Sequence, residues 1–82
     1  MTLYTVLLIK NEENDIRCES YGRSKKNDKW VGAINLYHDG FFHTTLISSD
    51  SVFKTENGAV AYMQEIVKQV RALDLLKNKK II

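Results

Sequence analysis

The sequence predicts an α+β domain in which an antiparallel β-meander of about four strands is followed by one C-terminal amphipathic helix packed on one sheet face, in the order β-β-β-β-α. Three observations carry the prediction. Two β-rich runs, residues 30–38 and 41–49, flank Asp39-Gly40, a pair suited to the two-residue type I′ turn that closes hairpins. Residues 56–76 place Ala59, Tyr62, Met63, Ile66, Val70 and Leu73 at spacings of three and four, which makes one apolar stripe on a helix. The two segments that precede the hairpin are rich in β-branched and aromatic types or alternate with a period of two.

In chain order, residues 2–10 read as the first strand, ended by the polar, turn-forming residues 11–15. This segment is apolar on both sides, with Leu3, Leu7 and Ile9 on one and Tyr4, Val6 and Leu8 on the other. Residues 16–22 alternate, Ile16, Cys18 and Ser20 against Arg17, Glu19 and Tyr21, as a strand with one wet face does. The segment 23–29 follows, the most basic of the chain. A two-residue turn then sets the hairpin register: His38 opposite Phe41, Tyr37 opposite Phe42, Leu36 opposite His43, Ile34 opposite Thr45 and Trp30 opposite Ser49. That register puts Trp30, Ile34, Leu36, Phe41 and Ile47 on the core face. Val31, Asn35, Tyr37, Phe42, Thr44 and Leu46 fall on the opposite one. Thr55 is a natural N-cap for the helix, Glu56 suits its positive end, and Gln64, Glu65, Lys68 and Arg71 form its wet side. Residues 77–82 are expected to fray.

With 82 residues and 9.5 kDa the chain supports one domain and one core. Twelve Lys and Arg against ten Asp and Glu leave a formal charge of +2, well short of the basic footprint of a dedicated nucleic-acid binder. A hydrophobic fraction of 44% excludes wholesale disorder. The run Val6-Leu7-Leu8-Ile9 falls far below the roughly twenty apolar residues of a membrane-spanning helix. One cysteine, Cys18, forms no internal disulfide, so a reducing, cytoplasmic setting and an inert, strand-borne thiol are expected.

One helix covers one face of a small sheet. The apolar groups left on the other face predict association, most cheaply with a second copy, through Tyr37, Phe42, Leu46 and Val31. The first functional expectation is therefore a small, non-catalytic protein-interaction module, homodimeric or bound to another protein, with no cofactor.

From Tyr21 to Val67 the succession Tyr21-Gly22, basic loop, Trp30, Ala33, Ile34, hairpin, Phe53, Thr55, Ala59, Ala61 and Tyr62 resembles the plant ethylene-response DNA-binding domain and the arm-binding domain of some tyrosine integrases. The resemblance implies a three-stranded sheet whose hairpin strands enter the major groove. The sequence departs from that pattern in having no Lys or Arg from Trp30 through Phe53, which removes the groups that neutralise phosphate and read guanine. The second expectation is accordingly a nucleic-acid-binding accessory domain that grips phosphates with Arg23, Lys25, Lys26 and Lys29, with Tyr21 as a stacking group.

Enzyme chemistry finds little support. His38 and His43 bracket the turn but lack a third ligand. Ser48, Ser49 and Ser51 lie near Asp50 without a nucleophile elbow, and the four glycines are too scattered for a phosphate loop.

Overall fold

A computed structural model describes residues 1–22, 29–50 and 52–74. Its elements are helix α1 (Leu3–Lys10), strands β1 (Asp15–Gly22), β2 (Trp30–His38) and β3 (Phe41–Ser48), and helix α2 (Glu56–Ala72). The strands form one antiparallel sheet in the order β1-β2-β3. The α+β class and the C-terminal helix follow the sequence expectation.

The fourth strand expected over residues 2–10 is replaced by α1. An apolar residue at nearly every position fits a period of 2 as well as one of 3.6, so the pattern alone does not choose. Local capping and tertiary packing do. The Thr2 side chain accepts from the Thr5 N–H at 3.1 Å, and its carbonyl accepts the first helical bond, from Val6. At the other end Ile9 is fully buried against Ile34, Met63 and Val70. Lys10 Nζ donates to the carbonyls of Val70 (3.4 Å), Arg71 (3.0 Å) and Leu73 (2.5 Å), and Arg71 Nε donates to the Ile9 carbonyl at 3.0 Å. Each helix thus satisfies C-terminal carbonyls of the other, which an extended segment could not do. Arg71, expected on the wet side of α2, is part of this clamp.

The hairpin turns as expected. Asp39 (φ 51°) and Gly40 (φ 82°) both have the positive φ of a type I′ turn, and His38 pairs with Phe41 and Tyr37 with Phe42. Beyond these the register departs from expectation, because shifts between Leu36 and Tyr37 and between Ile34 and Asn35 insert extra residues in β3. Leu36 therefore faces Thr44, Asn35 faces Thr45 and Ile34 faces Ile47. Trp30 pairs through its backbone with Phe53, while Ser49 donates its N–H to the Gly32 carbonyl.

Both helices lie on one side of the sheet, over Ile34 at the centre of the core, with Ile16, Cys18, Leu46, Ile47, Ile66 and Val67 partly buried around it. Helix α2 starts as expected at Thr55, whose hydroxyl accepts from the Gly58 N–H at 3.0 Å. It ends at Ala72, where the sequence suggested residue 76, and Leu73 and Tyr62, expected in its buried stripe, stay exposed. Tyr62 instead rests against the Phe53 ring, with centroids 5.2 Å apart. Residues 77–82 lie outside the described residues.

Candidate functional site

The side of the sheet away from the helices is uncovered among the described residues. The period-two alternation of the strands puts Arg17, Glu19 and Tyr21 from β1, Val31, Ala33, Asn35 and Tyr37 from β2, and Phe42 and Thr45 from β3 on this side. At its centre Asn35 is 0% exposed, the one buried polar residue of the described chain. Its amide is fully engaged: Nδ2 donates to Glu19 Oε1 (2.7 Å) and to the Tyr21 hydroxyl oxygen (2.6 Å), while Oδ1 accepts from Thr45 Oγ1 (2.8 Å). The Tyr37 hydroxyl donates to the same Glu19 oxygen at 2.5 Å. All three strands are tied through one amide.

Around this floor stand the aromatic groups. Tyr21 is 48% and Phe42 55% exposed, and the Phe42 ring meets Tyr37 edge-on with centroids 6.0 Å apart. The Arg17 guanidinium lies 4.1 Å over the Tyr37 ring and forms a two-point ion pair with Asp15 at 3.1 and 2.9 Å.

Three of the four residues expected to bind a partner lie on the face where the sequence put them, and two of these, Tyr37 and Phe42, meet on the open side. Leu46 is corrected. The β3 bulges rotate Leu46, with Thr44, toward the helices, and Leu46 packs on the core. Val31 keeps its face but is only 9% exposed, in the central strand opposite Tyr21. Phe41, expected in the core, is 78% exposed because it sits at the hairpin tip beyond the reach of α2. The central group, Asn35, was legible only as one member of a face. Its role depends on the cross-strand neighbours that the register supplies.

Electrostatics follow from the same contacts. Hydrogen bonds from Asn35 and Tyr37 hold the Glu19 carboxyl below its ordinary range, and the Arg17 guanidinium does the same for Asp15. Donating its hydrogen bond to Glu19 keeps the Tyr37 phenol protonated to higher pH than usual. For a carboxyl depressed in the folded state, the stabilisation is present above the unfolded-state value and is lost as pH falls through the folded-state one. The thermal midpoint should therefore fall as pH drops below about 4.3, the usual glutamate value. In Glu19→Gln the fall should be smaller, and calorimetry of both proteins between about pH 7 and pH 3 checks this; identical pH profiles would contradict it.

The remaining sequence candidates separate. Arg23, Lys25 and Lys26 lie outside the described residues, and Lys29 is exposed just ahead of β2. Cys18 is half-buried on the helix side, where burial pushes its thiol up and Arg71 partly offsets the shift. His38 and His43 line one hollow of about 300 Å³, yet among the described residues no three His, Cys, Asp or Glu side chains gather to hold a metal. Ser49 Oγ accepts from the Gly32 N–H and donates to the Asp50 carbonyl, so it serves the local turn. A cleft of about 450 Å³ between β3 and α2 is walled by Ile47, Phe53, Tyr62, Met63 and Ile66 together with Ser48, Ser49 and Asp50, and among its described lining residues no histidine or lysine stands as a base beside the serines. No helix of the described residues is long and apolar enough to cross a membrane. No protein-family model matches this chain, and comparison with curated proteins and with solved structures likewise returns no match.

Proposed function

We propose that this chain is a small, non-catalytic protein-interaction module that works as a homodimer. The observation that carries this reading is the uncovered side of the sheet, where each strand contributes one aromatic group, Tyr21, Tyr37 and Phe42, above a floor locked by Asn35. Aromatic rings and an arginine held rigid before binding lose little entropy in a contact, which is why such groups dominate protein interfaces. Helix α1 adds further apolar surface, since Leu3, Tyr4 and Leu7 are half or more exposed.

The nucleic-acid reading draws on Tyr21, half exposed at the end of β1 where the chain enters the basic segment. Charge on the open side opposes it. Arg17 stands between the Asp15 and Glu19 carboxylates on β1, so a phosphate laid across the strands would meet two negative groups beside one positive one.

Light scattering at micromolar concentration tests both. The expected mass is twice the 9.5 kDa of the chain, unchanged by a short mixed-sequence DNA duplex at low or moderate salt. A monomer at every concentration overturns the proposal. A monomer that gains mass with DNA, and keeps part of it at moderate salt, replaces it with the nucleic-acid reading.

A further inference from the structure

The two outer edges of the sheet are unlike. Strand β3 carries both register shifts, and bulges twist an edge away from flat pairing. Strand β1 has none: Asp15↔Tyr37 to Gly22↔Trp30 run without a break. In an antiparallel pair every second residue turns its N–H and C=O away from the partner. Those outward groups of β1 bond to nothing among the described residues, because β1 ends the sheet and neither helix pairs with it. A regular strand with an unpaired edge is a template for another strand.

The geometry points to a second copy of this chain as that strand, with β1 pairing antiparallel to β1 of its twin to form one continuous six-stranded sheet. This rests on the homodimer reading but moves the joint between the copies from the open face to the β1 edge, which leaves the aromatic faces for a further protein partner. Symmetry, charge and overlap together select the register, since centring on Ile16 or Ser20 leaves only three or five residues of β1 paired with those of the twin, against seven for Cys18. A two-fold axis normal to the sheet keeps both helical layers on the same side, so each residue opposes one of the same facing, and the axis must pass through a residue position. Centring on Arg17 would set Arg17 against itself and Asp15 against Glu19, and centring on Glu19 would set two glutamates face to face. Like charges directly opposite are destabilising. Centring on Cys18 sets Arg17 against Glu19 of the twin, twice, with Ile16 opposite Ser20 and Asp15 opposite Tyr21. Directly opposed side chains start about 4.5–5.5 Å apart at Cβ, within easy reach of a guanidinium and a carboxylate. The two aromatic faces then join into one surface.

This register places Cys18 opposite Cys18 of the twin, with Cα atoms about 4.5 or 5.5 Å apart, inside the range a disulfide spans. The test uses diamide, which accepts the two electrons and two protons released when two thiols become one disulfide, on the full chain at micromolar concentration. Wild type should run as a covalent dimer in non-reducing gels. A Cys18→Ser/Ser48→Cys variant, whose single thiol sits on the β3 edge, should not. In parallel, Arg17→Glu should raise the dimer dissociation constant at least tenfold, with circular dichroism confirming that it folds, because it replaces two opposite-charge contacts by two like-charge ones. A non-covalent dimer by light scattering that fails to cross-link through Cys18, cross-links instead through Ser48→Cys, or ignores Arg17→Glu overturns the β1 pairing and leaves the homodimer standing. A monomer by light scattering overturns both.

Discussion

Gly32→Val is expected to be among the most destabilising single substitutions in this chain, lowering the unfolding free energy by about 3 kcal/mol. Gly32 lies on β2 directly beneath α2. A Cβ there would stand 2.9 Å from the Ala59 carbonyl oxygen, 2.9 Å from Met63 Cγ and 3.2 Å from Met63 Cε. The methionine can move, but the carbonyl belongs to the helix backbone and moves only if α2 lifts from the sheet. Lifting it exposes Ala59 and Met63, both essentially inaccessible to solvent, and loosens contacts with Ile34 beneath them. A domain of this length has a total stability of about 4–12 kcal/mol, so the loss is a large share of it. Urea denaturation of wild type, Gly32→Ala and Gly32→Val should give midpoints falling in that order. Equal midpoints would mean that the helix sits farther from β2 than described.

Asn35→Ala should cost about 2–3 kcal/mol, for a different reason. The lost groups are polar and their partners stay behind: the Tyr21 and Thr45 hydroxyls lose their shared amide, and Glu19 loses one of its two side-chain hydrogen bonds. Glu19 and Tyr21 can turn toward water, which limits the penalty. A second signature separates this account from a simple cavity, because the Glu19 carboxyl should titrate closer to its ordinary range once the Asn35 bond, the largest cause of its depression, is gone. Chemical denaturation measures the first effect and a pH titration of the Glu19 carboxyl by NMR the second. A destabilised protein with an unmoved Glu19 would show that the amide serves packing alone.

These substitutions bear on the proposed function as well. Asn35 joins three strands through side chains on the open face, so the positions of Tyr21 and Tyr37 depend on it. Without it the aromatic groups would sample more rotamers, and any contact they make would carry the entropic cost of ordering them. Gly32 acts from beneath, by letting α2 cover the helix side closely and leaving the other side as the surface available for association.

By itself the sequence determined whatever rests on local chemistry with a single solution. Asp39-Gly40 specified the turn and its first two cross-strand pairs, Thr55 the start of α2, and the alternation over residues 16–22 the facing of β1. It also identified one exposed face and two of its aromatic residues, Tyr37 and Phe42. Tertiary structure decided the rest. Residues 3–10 suit a strand or a helix by pattern, and the outcome turned on Ile9 filling the core and Lys10 reaching the carbonyls that end α2, partners about sixty residues away. The bulges in β3 leave no local signature, yet each shifts the following residues by one position, and a one-residue shift exchanges the faces of a strand. That is why Leu46 lies in the core, and why Thr45 stands opposite Asn35 and donates to it where the unshifted register would have put Thr44.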